Sequence, residues 1–129
     1  MNSNKPPLCS KKILLVEHQQ DFVDFCKIRL FPEGVDVKAV LKGADALRCI
    51  QEEDFDLLLV EMWPFDMDSL EFLNQLKKLK VAIPVIITSE QVDIPLNRIT
   101  QAIHLGAVNF IQKPCQTDVL LKSIRQALA

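Results

Sequence analysis

Two charged residues stand where apolar, strand-like runs stop. Glu61 closes the run 56–61, and Lys113, followed by Pro114, comes directly after the run 109–112. In an open parallel sheet, functional groups collect outside the carboxyl ends of the strands. An acid and a lysine at two such ends are therefore expected to face each other in one crevice, the ammonium offsetting the carboxylate. As an exposed ion pair, Lys113 with Glu61 would contribute only about 0 to 1 kcal/mol.

The elements that must position these residues are legible as an alternation. Five β-branched and Leu-rich runs, at 13–17, 35–41, 56–61, 84–88 and 109–112, are separated by stretches of helical periodicity. Three of the runs are continuously apolar, as strands buried on both faces are. Helical spacing links Phe22, Phe25, Cys26 and Leu30, then Leu47 and Ile50, then Phe72, Leu73, Leu76 and Leu79, then Leu96, Ile99 and Ile103, then Leu120, Ile124 and Leu128. Pro32 and Gly34 stop the first helix and Gly106 the fourth. Strict β-α alternation with short links requires right-handed crossovers and a parallel sheet covered on both faces.

Composition narrows the function classes. A chain of 129 residues is one domain by size, able to bury roughly two-thirds of its unfolded surface. A net charge of -2 with scattered basic residues gives no nucleic-acid footprint. Cys9, Cys26, Cys49 and Cys115 make neither a Cys-x-x-Cys motif nor a zinc spacing, which fits a reducing, cytoplasmic setting. No apolar run is long enough for a membrane span, and the first residues lack a signal-peptide core. Residues 1–11 are expected to be a flexible N-terminal tail ahead of a domain at 12–129.

Segments 13–17, 56–61, 67–71, 83–89 and 106–114, in that order and spacing, resemble the receiver domain of bacterial two-component response regulators. The resemblance covers residues 12–129. It implies an α/β fold, a doubly wound, five-stranded parallel sheet of order 2-1-3-4-5, flavodoxin-like, an order for which a member of this family is a standard example. In that family an Asp ending the third strand accepts a phosphoryl group from a histidine kinase. Two acids ending the first strand hold Mg²⁺, a Thr or Ser ends the fourth strand, and a Lys ends the fifth. A carboxylate attacking phosphorus needs the surrounding negative charge neutralised, which metal and lysine supply.

Carried over by position, Lys113 matches the family lysine, with Pro114 suggesting the family's cis Lys-Pro bond. Ser89 matches the hydroxyl position, Thr88 being its alternative if the register slips by one. Phe110 matches the switch aromatic and Glu17 the first acid. His18 takes the place of the second acid, and Glu61 that of the phosphoacceptor Asp. Glu61 reads either as a built-in charge mimic or as an acid left after the chemistry was lost. His18 is expected to spoil Mg²⁺ binding, because Mg²⁺ demands near-octahedral oxygen ligation. The loop 62–68 carries its proline, Pro64, one residue early, and exposes Trp63 and Phe65 to use as a lid or a partner contact. Glu90 stands where the family keeps a small residue guarding access, and the stretch from Ser89 to Gly106 is about two residues long for the family.

The resemblance and its departures together imply a degenerate receiver: a non-enzymatic, phosphorylation-independent protein-interaction module of bacterial two-component signalling. No cofactor is expected, with Mg²⁺ binding weak or absent. The implied partners are signalling proteins (a histidine kinase, effector domain or regulator) docking on helix 4, strand 5 and helix 5 through Arg98, Gln101, His104, Phe110, Lys122 and Arg125, with a homodimer conceivable. No DNA-binding domain follows Ala129, so the chain reads as a stand-alone regulator or a fragment. The alternatives are a conventional phosphorylatable regulator, with Asp66 or Asp68 as acceptor, and a small-ligand or soft-metal sensor using Glu17, His18 and Glu61.

Overall fold

The computed structural model describes residues 8–129. Five strands, β1 (Lys12–Val16), β2 (Asp36–Val40), β3 (Leu57–Glu61), β4 (Val85–Ser89) and β5 (Ala107–Gln112), alternate with helices α1 (Gln20–Leu30), α2 (Gly43–Glu52), α3 (Ser69–Lys78), α4 (Leu96–His104) and α5 (Thr117–Leu128). The strands form one parallel sheet in the order β2-β1-β3-β4-β5. This is the doubly wound architecture that the alternation requires.

The continuous apolarity of β1, β3 and β4 follows from having helices on both faces. Leu14, Val16, Leu58, Val60, Val85 and Ile87 pack with α2, α3 and Ala102 of α4. Ile13, Leu15, Leu57, Leu59 and Ile86 pack with Phe22, Cys26 and Leu30 of α1 and Leu120 and Ile124 of α5. Each such fully buried side chain contributes roughly 1.5–3 kcal/mol. This two-sided core fixes the register, because a one-residue slip would carry every side chain to the opposite face.

Register aligns the strand ends that matter. Val16 pairs with Val60, Glu61 with Thr88, and Ser89 with Gln112. Glu17, Glu61, Ser89 and Lys113 therefore emerge along one edge of the sheet.

Two sequence expectations change. Leu8 is 4% exposed and belongs to the core on the α1/α5 side, and the Ser10 amide donates to Gly34 O at 2.9 Å. Residues 8–11 thus pack with the domain, while residues 1–7 of the expected tail lie outside the described residues. Gly34, at φ +78°, permits this contact: a Cβ there would meet Cys9 Sγ at 3.1 Å.

The second change concerns α4, whose apolar periodicity does not mark a core face. Only Ala102 of this helix is buried, whereas Leu96 and Ile103 are 77% and 56% exposed. Leu79, too, is exposed and caps α3.

Candidate functional site

At the carboxyl edge of the sheet lies a crevice of about 290 Å³, lined by residues that include His18, Glu61, Trp63, Ser89, Glu90 and Lys113. β1 delivers Glu17 and His18, β3 Glu61, β4 Thr88 and Ser89, and the end of β5 Lys113. The Lys113-Pro114 bond is cis. Ser89 Oγ accepts from the Gln91 amide at 2.9 Å. Thr88, one residue earlier, is fully buried with its hydroxyl unpartnered, and nothing in the structure explains this.

The expected pair of Lys113 with Glu61 is not formed. Lys113 Nζ donates to both carboxylate oxygens of Glu17, at 2.9 and 3.0 Å, and lies 3.4 Å from Gln19 Oε1. It also sits 5.1 Å from the Phe22 ring centroid. Nor is the pair exposed, since Glu17 and Lys113 are 3% and 6% accessible. A buried carboxylate is costly unless paired and hydrogen-bonded, and the nearest full positive charge that can satisfy Glu17 is this ammonium.

Glu61 turns instead to His18. Its Oε2 accepts from the His18 backbone amide at 2.9 Å, and its Oε1 lies 2.6 Å from His18 Nδ1, one proton serving the contact. His18 is half-exposed, Glu61 only 3%. Burial, reinforced by the negative charge of Glu17, pushes the Glu61 carboxyl up to about 7, against the opposing pull of His18 and Lys113. Near neutrality Glu61 is thus only partly ionised.

One ligand atom from each of Glu17, His18 and Glu61 falls within a sphere where all three lie within 4.8 Å of one another. These atoms do not suit Mg²⁺. Both oxygens of Glu17 are engaged by Lys113 and both of Glu61 by His18, and an imidazole replaces an oxygen donor. A softer cation would have to displace the ammonium and the shared proton.

The loop 62–68 is anchored on several sides. The Met62 amide donates to Thr88 O at 2.7 Å, and Asp66 accepts from the Gly43 and Ala44 amides at the start of α2, at 2.7 and 3.1 Å. Asp68 caps α3 by accepting from the Leu70 amide at 2.9 Å, and it forms an ion pair with Arg98 of α4. Neither Asp66 nor Asp68 is a free carboxylate. Trp63 lies at the crevice with the Arg98 guanidinium 4.1 Å from its ring centroid, yet remains 53% exposed, and Phe65 is 67% exposed with Lys42 5.9 Å away. Trp63 is half a lid and Phe65 none. Glu90 stands exposed at the rim.

Of the residues expected on the docking face, Gln101, His104 and Lys122 are exposed and Phe110 is half-buried against the core. Arg98 and Arg125 are not free: the first is held by Asp68, the second pairs with Glu33 at 3.0 Å. Sequence reasoning missed Gln19, Arg98 as a partner of the loop, and the anchors Asp66 and Asp68. Asp68, with Glu71 three residues on, has the pattern of a helix N-terminus and could have been found. The reach of Arg98 from another element left no local signal.

Among the described residues no helix is long and apolar enough to cross a membrane. The chain is 29% identical over 116 residues to the transcriptional regulatory protein GlrR of Escherichia coli, covering 90% of this chain and 26% of that protein. It is 29% identical over 117 residues to the transcriptional regulatory protein ZraR of Salmonella typhimurium, covering 91% and 26%. It spans about a quarter of the length of these curated relatives. Among solved structures, a CheY-like response regulator receiver domain protein from Methanospirillum hungatei superposes with a TM-score of 0.82 at 28% identity, covering 92% of this chain and 93% of that one. The family model for the response regulator receiver domain matches residues 13–125, and the chain belongs to that family.

Proposed function

We propose that this receiver domain transmits signals without aspartyl phosphorylation, acting as a protein-interaction module. The observation that carries this reading is the self-neutralised acid pocket. Lys113, which would face a phosphoryl group in the family arrangement, is bound through both oxygens of Glu17, and Glu61 is bound through both of its own oxygens to His18. The lysine charge that catalysis at phosphorus would need is already spent on the protein's own Glu17 carboxylate. Glu61 is also a poor charge mimic, because it is partly protonated near neutral pH and faces an imidazole rather than the lysine.

The surface offered to a partner is α4, β5 and α5. Leu96, Ile103 and Val108 are exposed on these elements, as are Gln101 and His104, and exposed apolar side chains among polar ones suit a protein interface. The relatives named as transcriptional regulatory proteins suggest a signalling partner, such as a kinase, an effector domain or a regulator.

Intact-mass measurement after incubation with acetyl phosphate or phosphoramidate and Mg²⁺ tests the reading. The wild-type chain and Glu61→Asp should both stay unlabelled, because His18 still denies the metal an oxygen ligand. Glu61→Asp combined with His18→Asp rebuilds an acid pair beside Glu17 and should gain an alkali-labile phosphoryl increment. Robust carboxylate labelling of the wild type sinks the proposal. Trp63, the single tryptophan, gives an independent check: Mg²⁺ at sub-millimolar concentration should cause no saturable quenching.

A further inference from the structure

We infer that Arg98 braces α4 against the loop that follows Glu61, so that the α4 face and the rim of the crevice move as one unit. This deepens the proposed role of α4 as part of the docking face. Three contacts converge on one guanidinium. It pairs with the carboxylate of Asp68, its Nε lies 3.2 Å from Met62 Sδ, and its Cζ sits over the Trp63 ring, 4.1 Å from the centroid. The Arg98 side chain is only 15% exposed in consequence.

The brace matters because of what α4 lacks. Ala102 is the helix's one buried residue, and Leu96 and Ile103 face outward. An element with so little buried apolar contact opens locally at low cost unless something else ties it down. Arg98 ties it to a loop that is itself pinned, by Met62 to β4 and by Asp66 to the start of α2. The loop begins at the residue after Glu61, so its placement and that of the crevice wall are the same placement. A partner that engages Trp63, or one that draws α4 outward, must act on both segments. The electrostatic and stacking parts of the brace are separable from helix capping, because Asn caps a helix as well as Asp does. Asp68→Asn therefore removes the ion pair and keeps the bond from the Leu70 amide.

Hydrogen exchange read by mass spectrometry on the free chain tests the coupling without a partner or a phosphodonor, so its outcome is independent of the proposed function. Arg98→Ala and Asp68→Asn should each speed exchange on the order of tenfold in both 62–68 and 96–104, leaving β1 and β3 protected. The double variant should exceed neither single one appreciably, and acrylamide quenching of Trp63 should rise in Arg98→Ala. Faster exchange confined to α4 with the loop unchanged, or effects of the two substitutions that simply add, would overturn the brace. If Arg98→Ala fails to fold, Asp68→Asn alone decides the matter by the same two-segment criterion.

Discussion

The two halves of the crevice edge solve opposite problems. On the side of β1 and β5, Glu17 and Lys113 are buried almost completely and satisfy each other. On the side of β3 and β4, Trp63, Phe65, Val92 and Leu96 remain between 53% and 77% exposed around the loop and α4. One half has withdrawn charged groups from solvent and neutralised them; the other leaves apolar groups in water. A buried, self-paired acid is inert toward an incoming anion, whereas exposed apolar area is free energy still available to binding.

The sharpest way to break the comparison is to unpair the buried side. Lys113→Ala leaves the Glu17 carboxylate buried beside Glu61 with no cation, and should cost about 3–5 kcal/mol in denaturant unfolding. A loss below about 1 kcal/mol would mean that water reaches Glu17 and that the pocket is open.

Next in size is the pH dependence of Glu61. Its folded-state pKa, about 7, is raised above the ordinary 4.5. The contribution of this group is therefore complete below pH 4.5 and is lost as pH rises through 7, because the unfolded chain gives up the proton more readily. Glu61→Gln should flatten the stability profile across that window and leave the variant more stable than wild type at pH 8 by on the order of 1–3 kcal/mol. Parallel profiles for the two proteins would show that Glu61 is ordinarily ionised.

On the exposed side the effects should be smaller. Trp63→Ala removes a stacked but half-solvated ring and should cost about 0.5–1 kcal/mol; a cost comparable to that of Lys113→Ala would make the loop as much a part of the core as the acid pocket. Smallest of all, Lys122→Glu on the outer face of α5 should shift stability by no more than about 0.5 kcal/mol. Arg125→Glu, which breaks the contact with Glu33, should exceed it when both variants are unfolded in denaturant.

Most of the frame was readable from local pattern. β-branched and Leu-rich runs, three of them continuously apolar, located the five strands to within a residue or two, and β-α alternation left the parallel sheet as the economical topology. That the strand ends would gather Glu17, His18, Glu61, Ser89 and Lys113 also followed, because carboxyl ends of parallel strands lie on one edge. Leu96 and Ile103 show the limit: their spacing identifies a helix face, but whether that face meets core or solvent depends on what is packed beside it.

Strand order and spacing along the chain dictate which ionisable groups share the crevice. How those groups pair follows from packing. Lys113 chooses Glu17 over Glu61 because relative burial and distances of a few ångströms set the balance between desolvation and Coulomb attraction, and neither is encoded in spacing along the chain. Arg98 reaches Asp68 and Trp63 for the same reason: contacts between elements distant in sequence exist only once the sheet has brought those elements together.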